Sequence, residues 1–139
     1  MKRILFVCKK NSARSQMAEG FAKDLLQKQG QPNIQVYSAG LEASQINPGA
    51  ITAMDAVGID IRNQTSKPLS DFHPEDFDVV ISLCGCGVNL PPDWVTRSVF
   101  EDWQLDDPAE QPELFPSVRD AVNDRVKALL QTVGLGQTD

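Results

Sequence analysis

The stretch Ile4-Leu5-Phe6-Val7-Cys8-Lys9-Lys10-Asn11-Ser12-Ala13-Arg14-Ser15-Gln16-Met17 decides how the rest of the chain is read. Ile4 to Val7 form an apolar run too short for a helix, and branched and aromatic enough for a fully buried strand that stops at Cys8. From Ser15, residues Met17, Phe21 and Leu25 recur at the spacing of one helix face, with Ala18, Ala22 and Leu26 beside them, and the pattern closes near Gly30. The first unit is therefore strand, tight loop, helix. A loop that leaves a strand end and enters a helix N-terminus turns successive backbone N–H groups inward, where a tetrahedral oxyanion can be held. Arg14, six positions after Cys8, adds a planar bidentate clamp. The same donors and the helix dipole favour thiolate over thiol at Cys8, which makes it a candidate nucleophile. Lys9, Lys10, Asn11, Ser12, Ala13 and Arg14 are the candidate oxyanion-binding residues. Ser15 is expected to cap the helix and to donate its hydroxyl to the sulfur, and Asn11 to bind loop backbone and hold a strained loop shape. The alternative, a buried Cys8 acting as a small hydrophobe beside a solvated Arg14, does not explain why the pair brackets a strand-to-helix turn.

Outward from this unit the alternation repeats. Ile34-Gln35-Val36-Tyr37-Ser38 reads as a strand ending at Ala39-Gly40, and Asn47-Pro48 opens a helix through Ala50, Ile51, Met54 and Val57 to Gly58. Residues 60–76 are polar, contain Pro68 and Pro74, and are expected as surface loop with a short helical turn. Asp78-Val79-Val80-Ile81-Ser82-Leu83 is the strongest strand pattern and runs into Cys84-Gly85-Cys86-Gly87. Ser98-Val99-Phe100 predicts a fourth strand before an acidic segment, and a long amphipathic helix follows Pro116 through Val133. Strands alternating with helices predict an α/β fold: a three-layer sandwich with a four-stranded parallel sheet flanked by helices. Ligands of such sheets bind outside the carboxyl ends of the strands, where Cys8 and Cys84 both fall. No repeat or linker divides residues 1–139, which are expected to form one domain.

The 139 residues carry 13 basic and 19 acidic side chains, a formal charge of -6 that opposes binding to nucleic acid or to an anionic membrane. The apolar run at the N-terminus is too short for a signal segment, and no run reaches transmembrane length. Three cysteines without a secretion signal suit a cytoplasmic setting in which thiols stay reduced and any disulfide is transient. Cys84 and Cys86 with one further Cys and one His, His73, make a poor tetrahedral metal set, so no metal is expected. At a strand end, with Gly85 and Gly87 allowing a sharp backbone change, the pair suits thiol–disulfide exchange. His73 is expected in solvent. Trp94 and Trp103 are expected in packing, with a place in the pocket wall as the alternative.

The Cys-x5-Arg-Ser loop after the first strand resembles the signature of the low-molecular-weight protein tyrosine phosphatase superfamily, and the resemblance covers nearly the whole chain. Val7 to Gly20, Tyr37-Ser38-Ala39-Gly40, Asn47-Pro48 and Asp106-Asp107-Pro108 are similar to the arsenate reductases built on that fold. Ser82 to Pro92 resembles their cyanobacterial branch, which couples to glutathione and glutaredoxin. The resemblance implies arsenate as substrate, glutathione as reductant with no tightly bound cofactor, and glutaredoxin rather than thioredoxin as partner. It implies catalytic roles for Cys8, Arg14, Ser15, Cys84 and Cys86, with Asp107 as general acid. Ala13 stands where many members have Cys, so that position is not part of a relay here. Lys67 stands where relatives often have the Asp of a potassium site shared with residues matching Asn11, Glu19 and Ser38. Ala109-Glu110-Gln111 replaces the aromatics that follow Asp-Pro in tyrosine phosphatases, which argues against phosphotyrosine. The alternatives are a phosphomonoester phosphatase of the same fold and a noncatalytic oxyanion-binding or redox-sensing module.

Overall fold

The computed structural model describes residues 2–30, 33–83, 90, 92–95, 99–103, 105–106, 108 and 111–132. The apolar run becomes β1 (Lys2–Cys8) and the periodic segment after the loop α1 (Arg14–Gln29), followed by β2 (Ile34–Gly40) and α2 (Pro48–Asp55). Then come β3 (Val79–Ser82), a short α3 (Pro92–Val95), β4 (Val99–Asp102) and α4 (Phe115–Thr132). Gly30, left-handed at φ 64°, closes α1 by giving its N–H to the Leu26 and Gln27 carbonyls. At the start of α2 the Asn47 carboxamide accepts the Gly49 N–H at 2.8 Å, with Pro48 in the first turn where its missing N–H costs nothing.

The sheet is parallel throughout, in the order β2-β1-β3-β4. β1 pairs with β2 from Lys2 opposite Ile34 to Cys8 opposite Gly40, and with β3 from Ile4 opposite Val79 to Val7 opposite Ser82. After β2 the chain crosses β1 to add β3 on its other side. The strand order therefore reverses at β1, and the crevice at the carboxyl ends of β1 and β3 is where such a sheet binds its ligand. Side-chain alternation sends Ile4, Phe6, Val79 and Ile81 to the face covered by α1, α2 and α4, and Leu5, Val7 and Val80 to the opposite face.

Three expectations are corrected, and one element was not foreseen. Residues 60–76 are not simply surface. Two single-turn 3-10 helices, Leu69–Asp71 and Pro74–Asp76, lie within that segment, and Ile61 and Leu69 are buried because both faces of a parallel sheet must be covered. The acidic Glu101 and Asp102 belong to β4, an edge strand that tolerates charge, and the Glu101 carboxylate accepts the Trp103 indole N–H at 2.7 Å. α2 ends at Asp55, three residues before Gly58, whose φ of 80° lets the chain turn so that the Ile59 N–H reaches the Met54 carbonyl at 3.0 Å. α3 had no periodic signal, since four residues around Trp94 are too few to show one. Both Trp94 and Trp103 are buried in packing and His73 is exposed, as expected.

Candidate active site

Cys8 ends β1 buried, at 3% exposure, with its sulfur 2.9 Å from the Ser15 hydroxyl. The loop from Cys8 to Ala13 is shaped by what happens to its carbonyls. The Cys8 and Lys9 carbonyls accept the Leu41 and Glu42 N–H groups at 3.1 Å, and the Lys10 carbonyl accepts the Ser66 hydroxyl at 3.1 Å. The Asn11 carbonyl accepts Gln16 Nε2 at 3.0 Å, Ser12 accepts the Asn47 N–H at 2.8 Å, and Ala13 accepts the Met17 N–H at 2.9 Å. A trans peptide places each N–H opposite the preceding carbonyl, so the N–H groups of Lys9 to Arg14 point away from all these partners. The result is a concave row of donors suited to a tetrahedral anion.

Two backbone features make this shape possible. Asn11 holds φ 50°, a left-handed conformation to which Asn is better suited than most residues with a side chain. Gly40, at the end of β2, sits so close that a Cβ there would lie 2.5 Å from the Glu42 carbonyl oxygen and 2.6 Å from the Asn11 nitrogen. Only glycine allows that approach.

The N-terminus of α1 is built differently from the expectation. Its cap position is Ala13, with no side-chain cap, and Ser15 is the second residue of the helix. The Ser15 hydroxyl is thus committed to Cys8 and to Asn11, whose Nδ2 donates to it at 2.7 Å, while the helix N–H groups and dipole face the loop without a competing side-chain oxygen. Arg14 is 7% exposed, and its Nη1 donates to the Leu83 carbonyl at 3.2 Å and the Leu105 carbonyl at 2.8 Å, which fixes the guanidinium at the carboxyl end of β3. Lys9 and Lys10 are exposed, so their side chains supply charge at the rim and only their backbone shapes the loop.

Asn11, Glu19 and Ser38 are all buried, but the set does not fit a resident cation. The Glu19 carboxylate already accepts the Ser38 hydroxyl and pairs with the Lys23 ammonium, and the Lys67 ammonium donates to the Thr65 carbonyl close by. Burial holds Lys67 below the ordinary lysine range, opposed in part by the charge of Glu19. Among the described residues no three acidic, histidine or cysteine side chains gather as a metal site.

Of the predicted site residues, Cys8, Arg14 and Ser15 come together with the loop, whereas Cys84, Cys86 and Asp107 lie outside the described residues. Sequence reasoning assigned no role to Gln16, Gln64 or Gly40. The signal for Gln16 was available: it is a polar residue between Arg14 and Met17 at the start of a buried helix, where an uncommitted carboxamide would be costly.

Residues 3–137 match the low molecular weight phosphotyrosine protein phosphatase family, and the chain belongs to that family. Within it, the chain is 58% identical over 134 residues to the glutaredoxin arsenate reductase of Synechocystis sp., covering 96% of this chain and 99% of the relative. It is 41% identical over 138 residues to the arsenate reductase of Bacillus subtilis, covering 94% and 96%. A solved arsenate reductase in the phosphate binding state superposes with a TM-score of 0.87 at 56% identity, covering 96% of this chain and all of that one. Among the described residues no helix is long and apolar enough to cross a membrane.

Proposed function

We propose that this chain reduces arsenate to arsenite in the cytoplasm, as a single domain, with glutathione and glutaredoxin as the source of electrons. The observation that carries the reading is the Cys8 sulfur at 2.9 Å from Ser15, at the start of a loop whose carbonyls are all drawn outward. The 58% identity to a glutaredoxin arsenate reductase supports the choice of substrate and reductant.

Arsenate, a tetrahedral dianion, sits on the loop N–H groups with Arg14 clamping two oxygens. The Cys8 thiolate attacks arsenic, an As–S bond forms, and one arsenic oxygen leaves as water after protonation by Asp107. A second thiolate, from glutathione or Cys84, then attacks the Cys8 sulfur. An S–S bond forms, the As–S bond breaks, and its electron pair stays on arsenic, which becomes arsenite. Two thiols are oxidised to one disulfide for each arsenate reduced. Cys84 and Cys86 pass the disulfide outward by thiol exchange, and glutaredoxin with glutathione reduces it. Ala13 carries no thiol, so the loop contains no resolving cysteine of its own.

The experiment is arsenate-dependent NADPH consumption by the full chain, coupled either to glutathione, glutaredoxin and glutathione reductase or to thioredoxin and its reductase. Faster turnover with the first set is expected, and Cys84→Ser or Cys86→Ser should abolish multiple turnover while sparing hydrolysis of a small aryl phosphate. Aryl phosphate hydrolysis without arsenate turnover in either set would make the chain a phosphatase of this fold. Anion binding with neither activity would make it a binding module.

A further inference from the structure

The catalytic loop is tied to residues far from any substrate by a run of side-chain hydrogen bonds that all point one way. Its members are Gln64, Gln16, Asn11, Ser15 and Cys8. Carboxamide oxygen and nitrogen are assigned from their partners, and here backbone groups fix each assignment. The Lys67 backbone N–H can only donate, and it meets Asn11 at 2.9 Å, so the atom facing it is Oδ1 and the Asn11 nitrogen faces Ser15. The Asn11 and Thr65 carbonyls can only accept, and both meet Gln16 at 3.0 Å, so the atom facing them is Nε2. That nitrogen also reaches Asn11 Oδ1 at 2.9 Å, so one of its two hydrogens is shared between the carbonyl and the side-chain oxygen of Asn11. The Gln16 oxygen is left to face Gln64, whose Nε2 donates to it at 2.8 Å and to the Gln16 backbone carbonyl at 3.0 Å.

Read in sequence, Gln64 donates to Gln16, Gln16 to Asn11, Asn11 to Ser15, and Ser15 to Cys8. The last contact, at 2.9 Å, can run either way while Cys8 is a thiol, and once Cys8 is a thiolate it runs from the Ser15 hydroxyl, because a thiolate has no proton to give. An amide that accepts at its oxygen becomes a better donor at its nitrogen, so a chain with one direction strengthens its final bond. Asn11, Ser15 and Gln16 have no exposed surface, so water does not dilute the effect, and among the described residues every buried side-chain nitrogen or oxygen has a partner.

We infer that Gln16 and Gln64 are positioning residues that set the proton affinity of Cys8 through Asn11 and Ser15, by fixing the direction of a hydrogen-bond chain that ends on the sulfur. Neither touches the reacting atoms. The inference rests on Cys8 being the nucleophile, but its test requires no arsenate. With Cys84→Ser and Cys86→Ser in the full-length chain, Cys8 is the sole thiol, and its alkylation by iodoacetamide can be followed against pH.

Gln16→Met keeps the size and removes both ends of the amide. Gln64→Ala removes only the first donor at a partly exposed site. Below the midpoint of the profile, alkylation should slow about tenfold for Gln16→Met and about threefold for Gln64→Ala. Both midpoints should move to higher pH while the rate at the alkaline plateau stays at or modestly above the parent value, because a more basic thiolate is the better nucleophile. A purely structural role would change the plateau through access to the sulfur, or the thermal midpoint alone, and an unmoved pH midpoint in folded Gln64→Ala overturns the inference even if Gln16→Met fails to fold. If the midpoints move but the unsubstituted chain reduces no arsenate, the chain of hydrogen bonds stands and the arsenate reading falls.

Discussion

The two faces of the sheet are covered by different means. On one, α1, α2 and α4 pack a largely aliphatic layer over Ile4, Phe6, Val79 and Ile81. On the other, Leu5, Val7 and Val80 meet Leu69 from a 3-10 turn and Trp94 from the short α3, together with Phe77 and Leu90. Phe77 stands edge-on to Tyr37 and Phe72 with ring centroids 5.6 and 5.7 Å apart, and lies 5.8 Å from Trp94. A helix covers a face by repeating every 3.6 residues, whereas a turn covers it with a few large rings in tilted and edge-to-face contact. The second kind of cover leaves more backbone at the surface and fewer interlocking side chains. Yet the segment that supplies part of it also supplies the Gln64 side chain, the Thr65 carbonyl and the Lys67 N–H that hold Gln16 and the Cys8-to-Arg14 loop.

The largest effect is expected where the loop meets β2. Gly40→Ala would place a methyl group 2.5 to 2.7 Å from backbone atoms of Glu42, Asn11 and Lys10, none of which can swing aside. Arsenate kcat/KM should fall by about a hundredfold or more, because a displacement of about 1 Å misaligns the donors. Near-parent kinetics would show that the loop does not depend on that close approach.

Next in size is a direct comparison of the two faces. Leu130→Ala in α4 should cost about 3 to 5 kcal/mol in urea unfolding, since the helix layer cannot collapse around the lost atoms. Leu69→Ala on the turn-covered face should cost nearer 2 kcal/mol, because turns relax more readily. Equal losses would mean that the two covers are equally rigid.

Asn47→Ala tests the helical side at its edge. It removes the cap of α2 and should lower stability by about 1 kcal/mol, while the bond from the Asn47 N–H to the Ser12 carbonyl survives because it is backbone. A loss of activity larger than this stability change would show that the cap also positions the loop.

The smallest effect belongs to Lys67 on the other side. Burial lowers its proton affinity in the folded chain, so the folded state releases that proton before the unfolded one does. The cost of holding the ammonium is therefore fully present at neutral pH and is relieved as pH rises through the lowered value toward the ordinary 10.5. Relative to Lys67→Met, the parent should gain urea stability between pH 7 and 10, and a flat difference would remove the burial argument.

How much of this was legible depended on which cover a residue belonged to. β1, α1 and α4 were readable because Ile4 to Val7, Met17 to Leu26 and Val118 to Leu130 carry the period of their own element. Ile61 and Leu69 were not, because single apolar residues among polar ones have no period. Cys8, Arg14 and Ser15 were readable because their spacing is local to one loop.

The sequence by itself determined the alternation of strand and helix that a parallel α/β sheet requires and the Cys-x5-Arg-Ser spacing between the first strand and helix, since each is a local pattern. Only the tertiary structure decided that Ala13 rather than Ser15 takes the cap position, that Gly40 must lack a side chain, and that Gln16 and Gln64 align the loop. The last two depend on contacts between segments far apart in the chain, such as Gln64 and Gln16 with a separation of 48. Such contacts arise from the packing of whole elements, which no local pattern encodes.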